Sequence, residues 1–147
     1  MHFKKKIFGK YIVIFVYHRV SPEKDTYFLP GIEPEEFEKQ ISYLKENFKI
    51  YSLKKLINGL KRGKINKKEH ENIAVITFDD GYRDNYIYAY PILKKYHIPA
   101  TFFLTTDYIG QGKLFWWDKL GYIIGNAKNG MINLPDLGKC LLDDKKK

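Results

Sequence analysis

Cysteine is almost missing from this chain of 147 residues: Cys140 stands alone. One thiol cannot close an intramolecular disulfide, and Cys140 has no Cys or His neighbour at zinc spacing. A disulfide scaffold and a cysteine-based zinc site are both excluded, and the chain is compatible with a reducing compartment. Acids are also scarce, with 17 Asp and Glu against 26 Lys and Arg, for a net charge of +9. Such an excess suits an acidic partner surface. The lysines are spread along the whole sequence, however, and no clustered basic motif marks a nucleic-acid site. A long apolar run is absent as well. The start, "MHFKKKIFGKYIVIFVYHRV", imitates a secretory leader, but its apolar run Tyr11–Tyr17 ends at once in His18 and Arg19. With no small-residue cleavage site and too few residues to cross a bilayer, neither a signal peptide nor a transmembrane helix is expected. No internal repeat, low-complexity segment or Pro/Ser-rich linker divides the chain. It reads as a basic segment, residues 1–10, followed by one domain, residues 11–147.

What is present can build a core, since 44% of residues are hydrophobic and 16% aromatic. "YIVIFVY" (Tyr11–Tyr17) is apolar at every position and predicts a central strand covered on both faces. Pro34 and early acids open an amphipathic helix over Glu33–Phe48, with Phe37, Ile41, Leu44 and Phe48 at helical spacing. Leu53, Leu56, Ile57 and Leu60 define one face of a second helix over Leu53–Arg62, which Gly63 stops. "IAVITF" (Ile73–Phe78) is a second strand, and a helix over Asn85–Tyr96 is kinked or restarted at Pro91. "PATFFLTT" (Pro99–Thr106) is a third strand. A glycine loop then leads to helix after Asp118, and the tail holds a short strand and a last helix. Strands alternating with helices predict a parallel α/β sheet or barrel.

The chemistry concentrates at "AVITFDDGYRDN", Ala74 to Asn85. In parallel α/β folds, sites form at the carboxyl ends of strands, where Asp79 and Asp80 fall. Where the strand ends, the chain turns, and both carboxylates can converge; Gly81 permits that turn. Two adjacent carboxylates repel, and a divalent cation relieves the conflict. One acid can then bind the ion while the other takes a proton from water, which suits hydrolysis. A plain Asp-Gly turn is the structural alternative. An EF-hand is excluded, because the acids do not alternate as its loop requires.

These residues resemble a known family. "TFDDGY" (Thr77–Tyr82) is similar to the first motif of the polysaccharide deacetylases, the NodB-homology group of carbohydrate esterases. "YHRV" (Tyr17–Val20), "IPATFFL" (Ile98–Leu104) and "FWWDKL" (Phe115–Leu120) match segments of one branch, in the expected order. The resemblance implies an incomplete, deformed (β/α) barrel of the NodB-homology type. It also implies metal-dependent removal of N-acetyl groups from an amino-sugar polysaccharide, such as a chitin-like, peptidoglycan or poly-N-acetylglucosamine polymer. By position, Asp79 is then the general base and Asp80 a ligand of a divalent metal, zinc in the first place and otherwise cobalt or nickel. His18 and Trp117 are the implied substrate contacts, His18 with an alternative role in acid catalysis.

One departure is large. The family's second motif, H-[ST]-x-x-H, is absent: the four histidines, His2, His18, His70 and His97, contain no such pair. His97 precedes a strand, at the end opposite the acids, and reads as structural. The chain therefore corresponds to the N-terminal portion of a deacetylase domain, weakly active or inactive alone, with apolar edges left open. A complementing C-terminal half is the expected protein partner. The alternative is a non-catalytic carbohydrate-binding or interaction module built on that fold. Arg83 and Asp84 read as a surface ion pair, and Tyr86–Tyr90 as packing.

Overall fold

The computed structural model describes residues 11–22, 31–65, 72–126, 130–134 and 138–142. In chain order the elements are β1 (Ile12–Tyr17), α1 (Pro34–Asn47), β2 (Lys49–Ile50), α2 (Leu53–Lys61) and β3 (Ile73–Phe78). A π-helical segment, Asn85–Ala89, runs into α3 (Tyr90–Tyr96), and β4 (Ala100–Phe102), a 3-10 turn (Thr106–Tyr108) and α4 (Trp116–Asn126) follow. A hairpin of β5 (Gly130–Leu134) and β6 (Gly138–Leu142) completes the described chain.

β3 is the axis of a parallel sheet. All six of its residues are buried, as its β-branched and aromatic sequence favours. β1 lies along its full length, from Ile12 opposite Ile73 to Tyr17 opposite Phe78. β2 pairs with Ile73 and Ala74, and β4 with Ile76 to Phe78, both on the edge that β1 leaves free. The sequence pattern assigns β1 the central position, and the structure corrects this. β1 is the outer strand of the described sheet, and Ile14 and Val16 are 49% and 53% exposed. Alternation decides the outcome: Phe15 and Tyr17 face the helices, while Ile14 and Val16 face the side that nothing described here covers.

The main core lies between the sheet and α1. Pro34 needs no partner for an N–H it lacks, and Glu35 and Glu36 favour the positive helix start. Phe37, Ile41 and Leu44 then fall on one buried stripe. They meet Tyr17, Ile76 and Phe78 from the strands and Ala89, Leu93 and Ile98 from the α3 region. Phe37 sits edge-on to Tyr17, with centroids 5.1 Å apart, and Phe78 stacks on Phe102 at 4.7 Å. Both arrangements suit the aromatic quadrupole.

Other elements depart from the pattern. α2 starts where Ser52 Oγ accepts the N–H of Lys55 and stops at Gly63, which has φ +62°. Of its predicted apolar face only Leu56 is fully buried, and Ile57 and Leu60 are exposed. The helix after Asn85 is continuous through Pro91 because the preceding turn is wound as π-helix, which adjusts the hydrogen bonding next to a residue with no N–H. Of the Tyr86–Tyr90 cluster, Ala89 is buried and Tyr88 packs against the core, while Tyr86 and Tyr90 stack on each other at 5.7 Å on the surface. β4 has three residues instead of eight, and the tail forms the β5–β6 hairpin in place of a strand and helix. Among the described residues no helix is long and apolar enough to cross a membrane. His2, His70 and the charged terminus lie outside the described residues.

Replacing Phe37 with Ala should cost about 3–5 kcal/mol in urea denaturation, because a fully buried ring leaves a cavity between α1 and the sheet. Leu60→Ala, at a half-exposed position, should cost less than about 1 kcal/mol.

Candidate active site

Three chain segments end side by side: the exits of β1 and β3, and the start of α4. The N–H of Asp79 donates to Tyr17 O at 2.9 Å, so the first acid is still tied to β1. The N–H of Phe103 donates to Phe78 O at 2.8 Å, which ties the exit of β4 to the other side. Immediately beyond, the N–H of Gly81 donates to Asp79 O at 2.9 Å and closes a three-residue turn about Asp80. Asp80 has φ +69° and Gly81 φ +73°. A γ-turn with positive φ at its centre is the rare, strained hand. Aspartate tolerates the left-handed region better than most residues, which fits its use here. At Gly81 the positive φ favours glycine; a Cβ would stand 2.7 Å from Leu104 Cδ2, a contact that the exposed leucine side chain can relieve by moving. Both acids are half-buried.

A hydrogen-bonded cluster braces this turn. The Tyr82 hydroxyl donates to Asp118 Oδ2 at 2.9 Å and accepts from Trp117 Nε1 at 2.7 Å. The Arg19 guanidinium lies over the Tyr82 ring, 4.9 Å from its centroid. Arg19 Nε donates to Asp84 Oδ2 at 2.8 Å, and Asn85 Nδ2 donates to His18 O at 3.1 Å. The residues on either side of the acid pair are thus locked to the end of β1 and to α4. Burial pushes the phenol of Tyr82 well above its ordinary range, and Asp118 adds to the rise against the pull of Trp117. Burial also raises the carboxyl of Asp84, against the pull of Arg19.

The predicted site residues fall as follows. Asp79 and Asp80 adjoin at the C-terminal end of the central strand. His18 directly follows β1, with its carbonyl held and its side chain exposed. Trp117 is half-buried, stacked on Phe115 at 4.8 Å, while Trp116 is 65% exposed. His97 caps α3 with φ +56° just before β4, at the opposite end of the sheet. The surface pair of Arg83 with Asp84 is corrected: Asp84 is buried and its cation is Arg19, 65 residues away. Sequence reasoning missed Arg19, Tyr82 and Asp118, because linear order gives no sign that segments so far apart meet.

A metal tests this donor set and finds it short. Among the described residues no three His, Cys, Asp or Glu side chains converge as a metal centre requires. Structural and catalytic zinc sites draw on at least three protein ligands. Asp79 and Asp80 alone do not make a complete site.

Comparison with known proteins bears on the fold and the family. The family profile "Polysaccharide deacetylase" matches residues 66–130. A poly-beta-1,6-N-acetyl-D-glucosamine N-deacetylase of Staphylococcus epidermidis is 42% identical over 82 residues, covering 55% of this chain and 27% of that protein. The structure of IcaB from Ammonifex degensii superposes with a TM-score of 0.60 at 31% identity, over 69% of this chain and 41% of the other. The Streptococcus pyogenes deacetylase PplD superposes at 0.56 with 27% identity, over 76% of this chain and 51% of that one. The fold is therefore the NodB-type α/β fold, here as a partial barrel. The chain is a relative of the polysaccharide deacetylases and spans between a quarter and about half the length of these three proteins.

Arg19→Met should destabilise the fold by about 2–4 kcal/mol, since it leaves the buried Asp84 carboxylate without its cation. Because the folded carboxyl already holds its proton more tightly than the unfolded one, its contribution is complete at acid pH and lost as pH rises through the folded pKa. The Arg19→Met penalty, followed by thermal melts, should therefore be larger at neutral than at acid pH. Arg83→Met, at an exposed position, should change stability by less than about 0.5 kcal/mol.

Proposed function

We propose that this chain provides the acid-bearing part of a hydrolase that removes N-acetyl groups from an amino-sugar polysaccharide. The observation that carries this reading is the Asp79–Asp80 pair, set in a strained left-handed turn at the carboxyl end of the central strand. Backbone strain of this kind persists where the surrounding structure imposes it, and it clusters at active sites. The similarity to proteins named as deacetylases supports the same reaction class.

In this reading Asp79 is the general base. It takes a proton from water as the water oxygen bonds to the acetyl carbon; that proton then passes to the amide nitrogen as the C–N bond breaks, which releases acetate and a free amine. Asp80 adds a second carboxylate whose charge favours a divalent cation at the same mouth, zinc before cobalt or nickel by resemblance. Its remaining ligands would have to come from outside the described residues. His18, with its exposed ring beside the mouth, and Trp117 are the proposed substrate contacts. The polymer we favour is poly-N-acetylglucosamine, with chitin-like chains and peptidoglycan as its alternatives. The shortage of metal ligands among the described residues favours a second reading, a carbohydrate-binding module without turnover.

A graft separates the two. The 82-residue segment that matches the Staphylococcus epidermidis relative would replace its counterpart there, with acetate release from a poly-N-acetylglucosamine oligomer as the readout. The chimera should be active, and Asp79→Asn should lower its rate by about 10²–10⁴-fold while leaving its melting temperature within a few degrees. Unchanged activity in Asp79→Asn would refute the assignment of the base. A folded but inactive chimera would favour the binding module.

A further inference from the structure

The excess positive charge is spread in sequence, but the fold gathers part of it. α2 and the turn after it line a groove of about 500 Å3 with Tyr51, Lys54, Lys55, Asn58, Arg62 and Lys64. Among its described lining residues there is no acid. Elsewhere, lysines near α1 and α3 have carboxylate partners: Lys39 pairs with Glu36 and Lys95 with Glu38. Lys54, Lys55, Arg62 and Lys64 form no ion pair among the described residues. Four cations with no carboxylate partner among the described residues surround one concavity and repel each other, and an anionic ligand would relieve that repulsion.

We infer that this groove binds an anionic polymer with a flexible sugar or polyol backbone carrying phosphate or carboxylate groups. The volume suits a short chain segment. A concave seat fits a strand of polymer better than the plane of a bilayer. Among the described lining residues the one aromatic ring is that of Tyr51, and the Lys55 ammonium lies 4.0 Å above its centroid, so that face is not open to a nucleic-acid base. The seat is also separate from the acid pair. Tyr51 N–H bonds Ala74 O at 2.9 Å, and Asp79 lies five residues further along β3, roughly 16 Å at strand rise. The groove can hold a polymer without occupying the mouth, so its ligand need not be the substrate.

Binding of the 147-residue chain to labelled polygalacturonate and poly(glycerol phosphate) oligomers tests this by fluorescence anisotropy, at about 0.15 M salt. Short single-stranded DNA and phosphatidylcholine–phosphatidylglycerol vesicles are the competing ligands. The variant K54Q/K55Q/R62Q/K64Q should bind one or both oligomers about tenfold more weakly or worse. A control with the same loss of charge at exposed sites elsewhere, K94Q/K113Q/K119Q/K139Q, should stay within about twofold of the parent. If the quadruple variant does not fold, K54Q/R62Q carries the test with a smaller loss in the same direction. Equal weakening in variant and control would overturn the proposal, as would absence of binding to both oligomers. Tighter binding to the DNA or the vesicles would overturn the choice of a glycan-like ligand. None of these outcomes depends on deacetylation.

Discussion

The turn about Asp80 is the constraint from which the arrangement at the sheet's mouth follows. A residue with a side chain is held at φ +69° by a single backbone bond, Gly81 N–H to Asp79 O. Such a conformation costs of order 1–2 kcal/mol for an ordinary L-residue. The surroundings supply that energy: Asp79 is pinned to β1, Phe78 to the exit of β4, and the residues after Gly81 to Arg19 and His18. The turn sets both acids at the end of the most buried strand, where no relaxed extended chain would keep them.

Much of this was legible in the sequence, for reasons particular to each segment. β3 was readable because six consecutive apolar or β-branched residues end abruptly in two acids and a glycine. α1 was readable because proline, early acids and a stripe at helical spacing agree with one another. β1 misled because an all-apolar run does not say whether both faces will be covered. That depends on how many strands follow, and Ile14 and Val16 are left exposed. At the site, Asp79, Asp80 and Gly81 announced themselves as neighbours in the chain. Arg19 with Asp84, and Tyr82 with Trp117 and Asp118, became partners only once the parallel sheet set the exits of β1 and β3 together.

The exposed apolar surface follows from the same partial architecture. Ile14 and Val16 on β1, and Phe102, Phe103 and Leu104 at the exit of β4, are the side chains a closed barrel would bury. The comparisons give that expectation a scale, since the solved relatives are about twice as long as the part of them this chain matches. Open strand edges of this kind invite pairing with further strands.

The stability difference between Asp80→Gly and Asp80→Val, by urea denaturation, bears most directly on whether the turn is left-handed. Glycine adopts positive φ freely, whereas a β-branched residue there is a steric outlier. Asp80→Val should be less stable than Asp80→Gly by about 2 kcal/mol or more, since strain at such a position is of order 1–3 kcal/mol. Equal stability, or a more stable valine variant, would mean that Asp80 sits in ordinary extended backbone, and the account of how the two acids are presented would fail.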